Sequence, residues 1–213
     1  LSQKSTTPSF YLPNWIDPKI INPVTAKPHM YSQSNKIVLL YSGNIGEKQD
    51  WQSFIEFCND IDPNKYEVII VGAGVKKEWL VEQTTHFSNV KHYPPVSYMD
   101  LSDLLCSVDI HLLFQKPNFF EAVMPSKVLG MMASAKPSLI IGHKDSEINS
   151  IFKSIDIGLY YDKYSKEVVK ELDKLTSHTS RKKEMGKNAR AYVLEHFSKE
   201  EVLKSVLKKI DSL

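Results

Sequence analysis

The chain has 213 residues, of which 42% are hydrophobic and 24% charged, and its formal net charge is +2. This composition is typical of a globular protein with a substantial core, and it excludes a disordered chain. The net charge is too small to indicate a nucleic-acid partner. No apolar run approaches the roughly 20 residues that span a bilayer.

Five prolines divide the first region of the chain: Pro8, Pro13, Pro18, Pro23 and Pro28. Each proline removes a backbone donor and restricts the residue before it, so no helix survives this spacing. We therefore predict an extended interdomain arm over residues 1–35 and a domain over residues 36–213. The arm is expected to pack onto the domain through four apolar side chains, which are Phe10, Tyr11, Leu12 and Trp15.

From Lys36 onward, short apolar runs alternate with amphipathic segments. The runs predict six strands, over residues 37–41, 66–71, 89–93, 108–114, 137–142 and 158–161. The segments predict helices over residues 51–61, 76–87, 98–106, 125–135 and 146–153, with more helix from residue 165. This alternation predicts an α/β fold, a Rossmann-like doubly wound parallel sheet of about six strands. Such sheets bind ligands beyond the carboxyl ends of their strands.

The loop after the first strand contains Gly43, Asn44, Gly46 and Lys48. Two glycines three residues apart let the backbone approach a ligand closely, and their N–H groups can face an anion. Lys48 adds a positive charge. The pattern is compatible with a phosphate site and equally with an ordinary turn between a strand and a helix.

Gly72 and Gly74 follow the second strand and begin like a dinucleotide-binding fingerprint. Lys77 stands where that fingerprint has its third glycine, and the motif does not follow the first strand. This departure argues against NAD binding. A tight turn that lines a ligand crevice is the expected structure.

A long polar and aromatic loop, residues 115–124, leads into the helix that Pro125 opens. Ser126 and Lys127 lie in the first turn, where a cation is unfavourable for the helix dipole. A bound anion would offset that cost and would be held by N–H groups, the serine hydroxyl and Lys127 together. We expect an anion site there; the alternative is that Ser126 caps the helix and Lys127 points to water.

The other acidic residues, histidines and cysteines do not form a pattern that indicates a catalytic or metal-binding site. Asp60 and Asp62 precede a proline at the edge of the sheet opposite to the expected site, which favours a turn over metal binding. The seven histidines lack zinc-ligand spacing, so no metal is expected, and His111 reads as a core residue. Cys58 and Cys106 lie in hydrophobic patterns and indicate a reducing compartment.

The last third of the chain is basic. From Lys163 to the end there are 13 Lys and Arg against 8 Asp and Glu. A solvated helical face explains this excess, and an acidic membrane surface or partner is the alternative.

Several segments resemble the C-terminal domain of retaining glycosyltransferases of family 4, which have the two-domain GT-B fold, and in particular a bacterial exopolysaccharide and colanic-acid-type subgroup. Segment 41–46 is similar to the donor-phosphate loop of that family, and segment 108–116 resembles the strand that enters its active-site loop. Segments 124–127 and 132–137 resemble its Pro-Ser-Lys helix and Ala-Ser-Gly-x-Pro turn. Segment 12–17 resembles its interdomain segment.

The resemblance implies a domain that binds a UDP- or GDP-sugar, without a cofactor or metal, for transfer with retention of configuration. It implies that Lys48 and Lys127 meet the diphosphate, with N–H groups of Gly46 and Ser126 beside them. The residues expected to line the rest of the donor site are Gly43, Asn44, Gly72 and Gly74.

The resemblance also places the base near Tyr93 and Pro94 and the sugar near Glu121. Two positions depart from the family pattern. Gly130 stands where most of the family has a ribose-binding glutamate, and Ala135 replaces a glycine, which suggests an altered turn.

The chain begins with Leu rather than Met, so we expect a piece of a longer hexosyltransferase that binds nucleotide weakly and is inactive alone. By the resemblance, the intact enzyme would extend a lipid-linked polysaccharide at the cytoplasmic face of the inner membrane, and a missing N-terminal domain would hold the acceptor. The main alternative is a non-catalytic sugar-nucleotide-binding or protein-interaction module, and an NAD-type domain is a weaker one.

Overall fold

The computed structural model describes residues 12–118 and 124–211. Its centre is a six-stranded parallel sheet with strand order β3-β2-β1-β4-β5-β6. The strands are β1 (Ile37–Ser42), β2 (Tyr66–Val71), β3 (Val90–Tyr93), β4 (Ile110–Phe114), β5 (Ser138–Ile141) and β6 (Gly158–Tyr161). The predicted α/β, Rossmann-like fold is confirmed. The strand order reverses between β1 and β4, which is where doubly wound sheets open a ligand crevice.

The helices follow the predicted order. They are α1 (Trp51–Asp60), α2 (Lys77–Thr84), α3 (Leu101–Cys106), α4 (Ser126–Ala133), α5 (Glu147–Ser154), α6 (Lys166–Ser177), α7 (Thr179–Phe197) and α8 (Lys199–Ile210), with a 3₁₀ turn at Met30–Ser32. Within the described ranges, none of the helices is long and apolar enough to cross a membrane.

Helix α3 begins three residues later than predicted. Ser97 and Asp100 form a local turn, in which the Ser97 hydroxyl donates to the Asp100 carboxylate at 2.7 Å. The Asp100 N–H donates to the Ser97 carbonyl at 3.2 Å. Short polar side chains that bond to nearby groups compete with helix formation, which explains the late start. Tyr98 and Met99 consequently stay exposed instead of joining the helix.

The arm joins the body differently from the prediction. Leu12 and Trp15 are 47% and 43% exposed, so packing through these two side chains was a wrong expectation, and Phe10 and Tyr11 lie outside the described residues. The arm is held instead where the Ile16 N–H donates to the Phe197 carbonyl at 2.8 Å. Backbone pairing with the junction of α7 and α8 thus sets its direction and turns later residues, such as the buried Ile21, into the core.

Candidate functional site

Two adjoining cavities open at the carboxyl ends of β1 and its neighbours. The larger has a volume of about 740 Å³ and lies between the arm, α3 and α4. The smaller, of about 310 Å³, lies towards β2. Four residues line both cavities, which are Ser42, Gly43, Asn44 and Leu101. The loop after β1 therefore forms the boundary between them.

The first turn of α4 lies at the larger cavity, which Ser126 and Lys127 both line. Pro125 occupies the N-cap position, and no side-chain cap bonds to this helix end within the described residues. The alternative that Ser126 caps the helix is therefore wrong, because Ser126 is already its first helical residue. An uncapped helix N-terminus presents N–H groups and a positive partial charge, which suit an anion.

Lys127 reaches back across the end of β1. Its Nζ donates to the Tyr41 hydroxyl at 3.1 Å and lies 4.8 Å from the centre of that ring. The Tyr41 hydroxyl in turn donates to the Asn44 carbonyl at 2.6 Å, and burial raises the pKa of Tyr41, which keeps the phenol neutral. Tyr41 is therefore a neutral partner that helps to position the ammonium.

Gly43 is required where Lys127 crosses the loop. Its φ of 134° lies in the region that favours glycine, and a Cβ there would sit 3.1 Å from the Lys127 Nζ. The close approach of backbone and ammonium was not visible in the sequence, although both residues were expected at the site.

Gly46 and Lys48 lie farther along the same loop. The buried Gly46 donates its N–H to Gln49 Oε1 at 3.0 Å, and its carbonyl accepts from the Trp51 indole at 2.9 Å. Because this N–H is already bonded, it is not available to an anion in this conformation. Lys48 is exposed, and its carbonyl accepts from the Lys116 N–H at 3.0 Å. Among the described residues that line the two cavities, neither Gly46 nor Lys48 appears.

Gly72 and Gly74 allow two loops to cross. A Cβ on Gly72 would lie 2.0 Å from the Gly43 carbonyl oxygen, and one on Gly74 would lie 2.3 Å from the Ile45 carbonyl oxygen. Only glycine permits this separation of the backbones. Gly72 also lines the smaller cavity, as expected for a tight turn beside a ligand crevice.

Tyr93 and Pro94, which were expected near the base, are not among the described residues that line the two cavities. The Tyr93 ring stacks on Tyr31, with centroids 3.9 Å apart and planes 10° apart, so one of its faces is already covered. The described residues of this segment that line the smaller cavity are Pro95 and Val96. Tyr31 lies in the 3₁₀ turn of the arm. The spacing of residues in the sequence does not reveal that Tyr31 contacts Tyr93.

His111 forms part of the wall of the larger cavity and is 1% exposed. Its Nε2 lies 2.8 Å from the Ser134 hydroxyl, and burial lowers its pKa to about 3. The expectation of a core histidine is confirmed. A neutral imidazole bonded in this way does not serve as a general base for a ligand.

Gly130 lines the larger cavity, and a Cβ there would lie 3.4 Å from Leu105 Cδ1, so the position tolerates a side chain. Ala135 has a φ of 57°, in the left-handed region that favours glycine, so the turn after α4 has the backbone conformation of a glycine turn. Glu121, expected near the sugar, lies outside the described residues.

Asp60 and Asp62 both accept hydrogen bonds that support the fold. The Asp62 carboxylate accepts from the Asn64 N–H at 2.8 Å, and Asp60 accepts from the Tyr164 hydroxyl at 2.9 Å. Within residues 12–118 and 124–211, no three His, Cys, Asp or Glu side chains cluster in a way that could hold a metal.

Two charged residues of the larger cavity, Asp17 and Lys199, were missed at the sequence level. Asp17 lies in the segment that resembles an interdomain connection, which was a weak signal for a site. Lys199 begins α8 and had no signal, because nothing in the sequence brings the chain end to the first strand.

Comparisons with a family model and with a known protein both indicate a glycosyltransferase family. The family model described as glycosyl transferases group 1 matches residues 27–192. Over 119 residues the chain is 34% identical to WcaI of Escherichia coli (strain K12), a protein named for glycosyl transfer in colanic acid biosynthesis. That match covers 55% of this chain and 29% of WcaI.

Solved structures share the fold. Anabaena HepE, solved in complex with UDP-glucose, is 16% identical, with a TM-score of 0.69, and the match covers 94% of this chain and 56% of HepE. The C-terminal domain of LpcC, a group 1 family protein from Francisella tularensis, is also 16% identical, with a TM-score of 0.64. That match covers 86% of this chain and 99% of the LpcC domain. The matches thus cover less than a third of WcaI and about half of HepE.

Proposed function

Since the chain belongs to the group 1 glycosyltransferases, we propose that it binds the nucleoside-diphosphate sugar donor in the two cavities beside β1. The observation that carries this proposal is the start of α4, to which no side-chain cap bonds within the part of the chain that the structure describes. Ser126 and Lys127 face the larger cavity there, and the ammonium is held against Tyr41 and Gly43.

The diphosphate belongs at this helix end. It carries the charge that an uncapped N-terminus and a fixed ammonium together attract. During glycosyl transfer the diphosphate departs with increasing negative charge, so the same groups stabilise the transition state in addition to the bound donor. Lys127 is thereby the residue proposed to contribute most to both binding and transfer. By the family resemblance, Lys48 would also meet the diphosphate and Glu121 would lie near the sugar, although Lys48 lines neither cavity in this conformation.

The base fits the smaller cavity. Its walls are the backbone of Gly72 and Ala73 on one side and Pro95 and Val96 on the other. This slot suits a planar ring, and it adjoins the larger cavity at Gly43. By the family resemblance the base would be uracil or guanine, and Tyr93 would support the slot through its contact with Tyr31 instead of touching the base.

For the longer protein we propose retaining hexosyl transfer to a lipid-linked polysaccharide at the cytoplasmic face of the bacterial inner membrane. Support comes from the polysaccharide pathway in the name of WcaI and from the UDP-glucose in HepE. Because this chain spans only part of both relatives, a separate N-terminal half would bind the acceptor. The present chain is therefore expected to bind donor without transferring sugar.

Calorimetric titration with UDP and GDP tests the proposal. A charge-assisted hydrogen bond contributes about 1.5–3 kcal/mol, so Lys127→Ala is expected to weaken binding by about tenfold or more. The control is Lys163→Ala, which removes an exposed lysine that lines neither cavity. If the two variants bind equally well, or if the native chain binds neither nucleotide at millimolar concentration, the proposed site is wrong.

A further inference from the structure

Among the described residues that line the larger cavity, positively charged side chains outnumber negatively charged ones. Lys127 and Lys199 are its cations, and Asp17 is the one carboxylate among the described residues that line it. His111 adds no charge, because its pKa is lowered to about 3. A carboxylate repels phosphate, so Asp17 has to face a part of the ligand other than the diphosphate.

The carboxylate of Asp17 is held in place by its neighbours. Immediately before it, Ile16 bonds at both backbone groups: its N–H donates to Phe197 at 2.8 Å, and its carbonyl accepts from the Lys199 N–H at 2.9 Å. After it, Ile21 is only 2% exposed. The Lys19 N–H donates to Asp17 Oδ1 at 2.9 Å, whereas Oδ2 accepts no hydrogen bond from any described residue. One oxygen thus fixes the turn and the other is available to a ligand.

The uncharged polar side chains that line the cavity belong to Ser42, Asn44, Tyr98, Ser126 and His111, so Asp17 offers the one charged acceptor among the described lining residues. Most of the cavity is apolar, through residues such as Ile20, Leu40, Leu105 and Met131. Gly130, on the α4 side, has no side chain to offer. A carboxylate only accepts hydrogen bonds, and hydroxyl groups are the donors that a sugar nucleotide presents in pairs. Burying those hydroxyls against an apolar wall without an acceptor would be costly.

We propose that Asp17 binds a vicinal pair of hydroxyl groups of the donor, so that the arm contributes a specificity-determining residue to the site. This inference rests on the proposed function. The pair can belong to the ribose of the nucleotide or to the transferred sugar, since both carry vicinal hydroxyls. The diphosphate at α4 lies between these two groups and orients both.

Asp17→Asn tests the inference, because asparagine keeps the oxygen that accepts from the Lys19 N–H and loses the charge. Asp62→Asn is the matched control: Asp62 accepts from the N–H two residues ahead in the same way, outside both cavities. The probes are UDP and GDP, their 2′-deoxy forms, and UDP-glucose, each titrated against the 213-residue chain.

Asp17→Asn is expected to weaken binding of a hydroxyl-bearing probe by about tenfold, as for loss of a charge-assisted hydrogen bond. If the ribose is the partner, UDP or GDP weakens and the 2′-deoxy form does not. If the transferred sugar is the partner, UDP-glucose weakens and UDP does not. Equal weakening of every probe, tighter binding through lost repulsion, or no difference from Asp62→Asn overturns the inference.

The same titrations separate this inference from the proposed function. Loss of binding in Lys127→Ala together with unchanged binding in Asp17→Asn refutes the role of Asp17 alone. Absence of nucleotide binding by the native chain refutes both.

Discussion

At the residue scale, the proposed donor site depends on Lys127, whose ammonium is oriented by neighbouring groups. A lysine in the first turn of a helix opposes the helix dipole. In this chain the cost is reduced because the Lys127 ammonium lies against the Tyr41 ring and hydroxyl, with Gly43 making room for it. The arrangement places the ammonium at the helix end where we propose that an anion binds.

His111 gives a pH prediction at this scale. Burial lowers its pKa to about 3 from an ordinary 6.5. The unfolded chain therefore takes up a proton below pH 6.5 that the folded chain does not. Its contribution to the free energy of unfolding is complete above pH 6.5 and is lost progressively as the pH falls towards 3.

The expected results are a lower urea midpoint at pH 5 than at pH 7.5 and a His111 ring-proton resonance that does not titrate between them. His111→Gln should show a weaker pH dependence of the midpoint. A His111 resonance that titrates near pH 6.5 in the folded protein would refute the assignment.

Residue-level prediction identified side chains that line the larger cavity, but it did not identify which neighbours bond to the loops beside it. The helix dipole alone predicted an anion site at Ser126 and Lys127, and the structure brings both to the larger cavity. The Gly46 N–H was expected to face the diphosphate, but Gln49, three residues along, bonds to it. The partner of Tyr93, Tyr31, belongs to the arm, and proline spacing carries no information about where an arm lies.

At the element scale, the position of α4 depends on α7. Gly186 of α7 lies so close to the turn after α4 that a Cβ would be 2.0 Å from the Ala135 carbonyl oxygen. Arg190, one turn farther along, donates to the carbonyls of Ala133 and Ile21. Helix α7 therefore fixes both the end of α4 and the arm, the two elements between which the larger cavity lies.

Gly186→Ala is expected to destabilise the protein by about 2 kcal/mol, because the new methyl group overlaps backbone and one of the two elements must move. Gly130→Ala is the control within α4, where the nearest atom would be Leu105 Cδ1 at 3.4 Å. Alanine favours the helix by about 1 kcal/mol over glycine, so this variant should be neutral or more stable. Urea denaturation measures both, and similar effects of the two substitutions would contradict the close packing of α7 on α4.

Element order was predictable because strands buried on both faces and amphipathic helices leave different patterns. The first and last residues of individual helices and strands were harder to predict from the sequence. Helix α3 starts late because Ser97 and Asp100 bond to each other, a local competition that the apolar spacing of Leu101, Leu104 and Leu105 does not register.

At the scale of the whole molecule, the site is assembled from distant parts of the chain. The arm contributes Asp17, β1 and its loop contribute Gly43, α4 contributes Lys127, and the start of α8 contributes Lys199. The spacing of residues in the sequence does not show that the start of α8 returns to the arm. The parallel sheet could be predicted from the alternation of strands and helices. Its strand order explains why the glycine loop and the start of α4 meet at the switch between β1 and β4.

The central claim is that the donor diphosphate binds where α4 meets the loop after β1. Amide chemical-shift mapping during titration with UDP and GDP tests it most directly, because it locates the nucleotide without a substitution. The largest changes are predicted at the amides of Gly43, Ser126 and Lys127, with smaller ones at Gly72 and Val96. Shifts concentrated elsewhere on the protein, or no shifts with either nucleotide at millimolar concentration, would contradict the claim.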